Sequence, residues 1–197
     1  MTKTRRERGF TAIETVMVVG LIGVLGATAT PMIGQAIANF RLSGDGRSVS
    51  NAVAVAKMRA ASKFSRVRLY VDLAGGGHRI ESFNRTTNQW VVEGGTTRLF
   101  QQVSFGFGAA ATPPVSTQGT IGQAAACTDG AGATIANTAC VIFNSRGVPI
   151  DSNGASTSID AVYLTDGTAV YGVTVAATGM IRTWRTPAGS TPTWVRQ

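Results

Sequence analysis

The feature that most constrains this chain is a long apolar run that follows a basic head and holds one carboxylate. The first nine residues carry a net charge of +3, and between Phe10 and Phe40 only Glu14 is charged. Residues 15–33 are 19 uncharged, mainly apolar residues. As a helix they would extend about 28 Å, long enough to cross a bilayer. The basic head is then expected to stay on the cytoplasmic side.

Several interpretations fit a segment of this kind. One is an ordinary secretory signal with Ala27-Thr28-Ala29 as its small-residue cleavage site. A twin-arginine signal is a weaker variant, because Arg5-Arg6 is followed by Glu7-Arg8 rather than by an apolar pair. Another is a plain membrane anchor. A carboxylate in an apolar helix costs on the order of 2.5–3.5 kcal/mol at a bilayer centre and less near its edge. Neither a signal nor an anchor gives Glu14 a purpose.

A third interpretation gives that carboxylate a role. The stretch Arg8-Gly9-Phe10-Thr11-Ala12-Ile13-Glu14 resembles the type III signal of type IV pilins and type II secretion pseudopilins. The resemblance implies that a prepilin peptidase cuts between Gly9 and Phe10, that Phe10 is then N-methylated, and that Glu14 becomes the fifth residue. Pro31 matches the helix-breaking proline common in the family.

The match covers residues 5–33 and departs from the family at Ala12 and Thr15, where Leu is usual. These departures do not touch the cleavage chemistry. The resemblance implies an electrostatic assembly mechanism, in which the new amine of a neighbouring subunit lies beside Glu14 and neutralises it.

Small residues and a proline divide the apolar segment. Gly20, Gly23 and Gly26 leave room for a close helix approach. Pro31, with Gly34 nearby, predicts a helix kink because proline removes an intrahelical hydrogen bond. In the family this region also melts on assembly.

The chain is therefore expected to have three parts: a prepilin leader (1–9), a transmembrane assembly helix (10–35) and a periplasmic globular domain (36–197). The helix is predicted to continue to about residue 64, with a candidate break at residues 43–46. Its buried face is predicted from residues spaced three and four apart, namely Val49, Val53, Ala56, Ala60 and Phe64.

Strands are expected to follow the helix. Residues 66–73 alternate, which places Val67, Leu69, Val71 and Leu73 on one face. Residues 108–139 lack periodicity and are predicted to form a long loop. The other predicted strands are 78–83 and 90–93 as a hairpin after the Gly75–Gly77 turn, and then 98–107, 141–144, 161–165, 169–176 and 180–185.

The later strands also resemble the C-terminal part of GspH/FimT-type minor pilins, in the runs CVIFNSRGVP, DAVYLTDG and AVYGVTVAATGMIRTWR. This looser resemblance covers roughly residues 50–185. It implies an α+β pilin fold, in which a long N-terminal helix packs on antiparallel β-sheets.

Few residues suggest chemistry. Cys127 and Cys140 are the only cysteines, and after an export-like N-terminus they predict a single disulfide. His78, the only histidine, has no ligand cluster around it and is expected at a surface turn. No cofactor and no metal are expected, although three acids in turn-like segments leave calcium as an alternative: Asp151, Asp160 and Asp166.

Positive charge is concentrated in two places. Seven basic residues and one acid lie between Arg41 and Arg68, which predicts a solvated helix face, or else a surface for nucleic acid or acidic lipid. The C-terminal segment interleaves guanidinium and indole groups, as single-strand-binding surfaces do. Its candidate DNA-binding residues are Arg182, Trp184, Arg185, Trp194 and Arg196.

These expectations lead to one main hypothesis and two alternatives. The main one is a non-enzymatic minor pilin or pseudopilin of the inner membrane, which joins other pilins in a type IV pilus or a type II secretion pseudopilus. The first alternative is a DNA-binding minor pilin displayed by that filament. The second is a secreted hydrolase, for which the sequence offers no nucleophile–base pair.

Overall fold

The computed structural model describes residues 11–197, and for residues 29–32 it describes the backbone only. The chain divides into two compact units, Met1–Asn39 and Phe40–Gln197. In the described residues the first unit is helical. The second contains the rest of that helix and all of the described strands.

A single helix, α1, runs from Ala12 to Lys63. Phe64 follows it in the left-handed region, with φ of +48°, and the Ser65 amide donates to the Ala60 carbonyl. This is the geometry by which many helices end, although glycine is the usual residue at the left-handed position. The reversal turns the Phe64 side chain outward, and it is 76% exposed. The prediction that Phe64 joins the buried face was therefore wrong.

The candidate break at residues 43–46 is also absent, since α1 is helical throughout this stretch. Tertiary contacts explain why two glycines do not interrupt the helix here. A side chain at Gly46 would collide with the ring of Tyr171, so glycine is required for close packing. Asp45 is buried and accepts a hydrogen bond from the Phe100 amide at 2.8 Å.

The first sheet is antiparallel and has five strands in the order β3-β2-β1-β5-β6. The alternating pattern of residues 66–73 forms its central strand, and the predicted hairpin is formed by the next two strands. The strands are β1 (Val67–Asp72), β2 (Gly77–Asn84), β3 (Gln89–Arg98), β5 (Thr138–Phe143) and β6 (Pro149–Ile150).

The second sheet is also antiparallel, with the order β10-β9-β8-β7-β4. Its three long strands were predicted from the sequence, whereas the short edge strand β10 was not. The strands are β4 (Ser104–Phe105), β7 (Asp160–Thr165), β8 (Ala169–Val175), β9 (Ile181–Pro187) and β10 (Val195–Arg196).

The main core lies between the second half of α1 and both sheets. Val49, Val53, Ala56 and Ala60 are fully buried there, as predicted. Each buried valine contributes roughly 1.5–3 kcal/mol relative to an exposed one. We call the sheet faces that meet the helix the inner faces and the opposite faces the outer faces. The fold class is therefore α+β, with a long N-terminal helix and antiparallel sheets.

One predicted strand was largely wrong. Of residues 98–107, Arg98 is the last residue of β3, which continues through Gly94 and Gly95, and only Ser104 and Phe105 form the separate strand β4. A turn at residues 101–102 lies between the two strands. The loop predicted at residues 108–139 is confirmed up to Asn137. It is not detached from the core, since Ala110, Ala124 and Cys127 are buried.

Candidate assembly helix and basic surfaces

The first part of α1 has an apolar surface with no cover in the described structure. Every residue from 11 to 28 is exposed. Among the described residues, α1 is long and apolar enough to cross a membrane, and none of the most apolar window is buried. Large side chains such as Met17 and Leu21 are 76% and 66% exposed. None of the described residues buries this apolar surface.

The N-terminus of α1 explains part of what Glu14 does. The Thr11 hydroxyl accepts a hydrogen bond from the Glu14 amide at 3.3 Å. Thr followed three residues later by Glu is the spacing of a capping box, in which Thr is the N-cap. Glu14 is also favoured in the first turn by the helix dipole. This local role was not predicted above, although the T-x-x-E spacing of Thr11 and Glu14 is a signal for it.

The polar groups further along the apolar segment are satisfied within the helix. The Thr15 hydroxyl donates to the Thr11 carbonyl at 3.3 Å, and the Thr28 hydroxyl donates to the Leu25 carbonyl at 3.1 Å. Apart from their chain neighbours and the nearby backbone of the helix itself, Gly20 and Gly23 have no atom within 4 Å of where a side chain would begin. The helix therefore presents small positions and few unpaired polar groups, as segments in lipid require.

Other predicted features of this segment remain predictions. Gly9 and Phe10, the expected cleavage and methylation sites, lie outside the described residues. The backbone is helical through Pro31, and the side chain of Pro31 is not among those described. The kink at Pro31 is therefore an expectation only.

The predicted disulfide is confirmed. Cys127 and Cys140 are bonded and both are buried. The bond fastens the long loop to β5, and the Ile135 amide donates to the Cys127 carbonyl at 2.7 Å beside it.

The basic residues between Arg41 and Arg68 are largely engaged within the chain. Arg59 donates to Glu93 at 2.6 Å, and Lys63 pairs with the other oxygen of the same carboxylate. Burial alone would raise the pKa of Glu93, but hydrogen bonds from Lys63, Ser82 and Arg59 outweigh burial and lower it. Lys57 donates to the Gly179 carbonyl at 2.9 Å. Only part of this charge is free for a partner.

Arg68 differs most from the prediction that these basic residues are exposed to solvent. It is 2% exposed and donates to Glu81 at 2.7 Å and to the Thr128 carbonyl at 2.6 Å. Its guanidinium lies 4.0 Å from the centroid of the Trp90 ring. Burial lowers the pKa of Arg68, and the charge of Glu81 opposes that shift. This cluster joins the outer face of the first sheet to the disulfide loop.

The candidate DNA-binding residues do not form one surface. Residues alternate between the faces of β9, and Arg196 of β10 lies opposite Trp184. Arg182, Trp184 and Arg196 therefore share the outer face of the second sheet, while Arg185 belongs to the inner face.

The two indole rings of this region are packed. Trp194 lies 5.7 Å from the Tyr163 ring and donates to the Thr112 carbonyl at 2.9 Å. Trp184 donates to the Thr174 hydroxyl at 2.9 Å. Both are half-buried, so neither projects freely as a platform for stacked bases.

His78 is not at a surface turn, contrary to expectation. It lies in β2, is 3% exposed, and its Nε2 is 3.5 Å from the Ser48 hydroxyl. Burial lowers the pKa of His78. The glycine triplet before it misled the prediction, because the turn ends at Gly76 and the strand begins at Gly77.

The three acids considered for calcium occupy different environments. Asp151 accepts hydrogen bonds from the Asn153 and Ala155 amides. Asp166 accepts hydrogen bonds from the Thr168 and Ala169 amides. Each aspartate therefore has the hydrogen bonds of an ordinary turn. Asp160 instead begins β7 and is 7% exposed. Burial and then the charge of Asp151 raise the pKa of Asp160 to about 7. Among residues 11–197 no three acidic, histidine or cysteine side chains form a metal-binding group.

No protein-family model matches the chain, and no curated protein matches it. Among solved structures, the chain is similar to the minor pseudopilin EpsH from the type 2 secretion system of Vibrio cholerae, at 10% identity and a TM-score of 0.38. That similarity covers 80% of this chain and 96% of EpsH.

Proposed function

We propose that this chain is a prepilin-type structural subunit, a minor pilin or pseudopilin, rather than an enzyme. In this proposal a prepilin peptidase removes residues 1–9 and Phe10 is methylated. Residues 10–35 then hold the protein in the inner membrane with residues 36–197 in the periplasm. With other pilins or pseudopilins it initiates or caps a type IV pilus or a type II secretion pseudopilus.

The observation that supports the proposal is the exposed apolar helix with a carboxylate near its start. Residues 11–28 are exposed all round the helix, so the segment is suited to lipid or to neighbouring helices rather than to its own domain. Glu14 is the only charge in this surface. A carboxylate there is tolerable when an opposite charge is supplied by a partner.

The buried disulfide agrees with a periplasmic location. Such bonds persist in oxidising compartments and are rare in the cytosol. The location also agrees with the basic head, which is expected to stay on the cytoplasmic side of the membrane.

The direct test is the mature N-terminus. The full chain is co-expressed with a prepilin peptidase, and the processed protein is sequenced from its N-terminus. We expect a sequence that begins with methylated Phe10 and continues Thr11-Ala12-Ile13-Glu14. A chain that begins at Thr30 would identify an ordinary secretory signal, and an uncut chain would leave a plain anchor; both results would refute the proposal.

A second candidate is a filament-displayed receptor for DNA. The observation that favours it is the common outer face of Arg182, Trp184 and Arg196. Binding of single-stranded DNA should then weaken steeply with salt and with Arg196→Gln. Arg185→Gln should have little effect, because Arg185 lies on the inner face. Absence of binding at low salt would exclude this function.

A further inference from the structure

The outer face of the second sheet contains a small cavity lined by hydroxyl groups and one arginine. The cavity has a volume of about 160 Å³, and residues 175–177 contribute to its lining. Its polar side chains are Ser116, Thr117, Ser158, Thr174 and Arg182. None of the lining residues is acidic, so the cavity has an excess of hydrogen-bond donors and positive charge.

Arg182 is not neutralised within the described part of the chain. Its Nε atom is buried and has no hydrogen-bond partner, and none of the ion pairs between described residues includes Arg182. A buried donor of this kind is normally satisfied, by protein, water or a ligand.

Sheet register explains why Asp160, a buried acid of the same sheet, does not pair with Arg182. Asp160 lies opposite Val175, which in turn lies opposite Ile181. Residues directly opposite each other project from the same face of an antiparallel sheet, and successive residues alternate. Asp160 therefore belongs to the inner face and Arg182 to the outer face. A negative partner for Arg182 has to come from outside the sheet.

The hydroxyl groups are arranged to complete such a site. Trp184 donates a hydrogen bond to Thr174 Oγ1 at 2.9 Å. Because Thr174 Oγ1 is the acceptor in this bond, the hydroxyl proton of Thr174 is still able to donate to another group. The present acceptor of that proton, the Arg182 carbonyl, is 3.5 Å away, so the contact is weak. Ser116, Thr117 and Ser158 add hydroxyls that can donate in the same way.

We propose that this cavity binds a tetrahedral oxyanion, such as phosphate or a phosphate ester, with Arg182 as its principal ligand. The guanidinium fork matches the spacing of two phosphate oxygens, and the hydroxyls contact the others. On the measure by which a cavity needs about 10–15 Å³ to hold one water, its volume of about 160 Å³ leaves room for an anion of several heavy atoms. This inference does not depend on filament assembly.

The test measures binding of inorganic phosphate by the full chain in detergent micelles at neutral pH. Thermal unfolding is followed as phosphate is added, with sodium chloride at matched ionic strength as the reference. A ligand of the folded state raises the unfolding temperature in a saturable way. We expect this rise for the unmodified chain, and an affinity at least about tenfold weaker for Arg182→Gln.

Arg196→Gln is the matched control, because it removes the same charge from the same outer face outside the cavity. It should bind phosphate as the unmodified chain does. Arg182→Lys should bind more weakly than the unmodified chain, because it keeps the charge and loses the fork. If Arg182→Gln does not fold, Ser158→Ala provides a second test, since Ser158 is exposed and its loss should weaken binding several-fold.

Two sources of the anion are separated by competition. If a short single-stranded oligonucleotide displaces phosphate, a nucleic-acid phosphate occupies the cavity; if it does not, the ligand is a free or small-molecule phosphate. Either result supports an oxyanion site. Stabilisation by phosphate no greater than by chloride would overturn the proposal. Equal weakening by Arg182→Gln and Arg196→Gln would also overturn it, because it would indicate diffuse charge attraction.

Discussion

At the scale of single residues, Asp160 couples folding to pH. Its pKa is about 7 in the folded chain, against an ordinary value of 3.8. Between these values the folded state holds a proton that the unfolded state has released, so stability falls as pH rises through this window. We expect unfolding free energy to decrease by a few kcal/mol between about pH 4 and 7. Asp160→Asn should abolish most of that decrease and stabilise the chain at neutral pH.

The measurement is denaturant unfolding across this pH range, with Asp166→Asn as control. Burial would raise the pKa of Asp166, but hydrogen bonds from Ala169 and Thr168 outweigh burial and lower it. The charged carboxylate of Asp166 therefore stabilises the fold, and Asp166→Asn should lose stability. It should keep the decrease of unfolding free energy with pH that is due to Asp160. His78 acts in the opposite direction, because burial lowers its pKa in the folded state. Below the ordinary histidine pKa the unfolded state therefore binds a proton that the folded state does not, and stability rises with pH until the unfolded-state His78 is also neutral. A slope unchanged in Asp160→Asn would refute the assignment.

Arg68 makes a second prediction at this scale, which concerns burial rather than pH. Arg68→Ala removes a guanidinium that is 2% exposed and leaves Glu81 with Arg79 as its remaining partner, at 2.7 Å. Breaking a buried ion pair from one side costs about 3 kcal/mol. The matched change Arg59→Ala removes a 41% exposed partner of Glu93 and should cost about 0.5 kcal/mol. Equal losses of unfolding free energy in the two variants would contradict this difference.

At the scale of elements, the disulfide loop gives a prediction of its own. Cys127 and Cys140 are 13 residues apart in sequence, and a bond that closes a loop of that size contributes roughly 3 kcal/mol. The double variant Cys127→Ala/Cys140→Ala should lose about that much unfolding free energy. Proteolysis should then begin within residues 108–137. The single variants serve as controls for lost packing, and a double variant as stable as the parent would disprove the contribution.

Strands and helix could be predicted where one physical pattern dominated. Val67, Leu69 and Val71 alternate because one face of β1 meets the core, and Val49 and Val53 recur at helical spacing for the same reason. The short strands β6 and β10 could not be found in this way. A strand of two residues is too short to show a hydrophobic alternation. These strands form only because a longer neighbouring strand supplies their hydrogen-bond partners.

The missed features depended on contacts between distant parts of the chain. Gly46 reads as a helix breaker, but its missing side chain makes room for Tyr171. The strand predicted to end at residue 93 instead continues through Gly94 and Gly95, which lie within the edge strand β3. The candidate DNA-binding set failed as one surface because a strand alternates its faces, which separates Arg185 from Arg182. The orphaned Arg182 donor and its cavity required the structure, since Ser116 and Ser158 are remote from β9 in sequence.

At the scale of the whole molecule, the chain combines a domain that has its own buried core with a helical segment whose apolar surface is exposed. Residues 40–197 have a buried core of their own, so the exposed segment 11–28 is not needed to complete that core. Under the proposed function this segment would contact lipid before assembly and other subunits after it. Lipid would offer the Glu14 carboxylate no partner, whereas a processed neighbouring subunit would offer the amine of its Phe10.

This difference predicts that changing Glu14 separates membrane insertion from assembly. Glu14→Gln keeps the side-chain shape and the first-turn capping geometry, since Gln also serves in a capping box, but it removes the charge. We expect this variant to be processed and inserted normally and to be lost from sheared filaments. The measurement compares its amount in the membrane fraction with its amount in the filament fraction.

Thr11→Ala is the control that separates charge from capping. It removes the hydroxyl that accepts from the Glu14 amide, which costs about 1 kcal/mol of helix stability, and leaves the carboxylate in place. If the charge governs assembly, Thr11→Ala should enter filaments nearly as well as the parent while Glu14→Gln does not. If Thr11→Ala fails to enter filaments while Glu14→Gln assembles normally, capping of α1 governs assembly and no pairing with a neighbour's amine is needed.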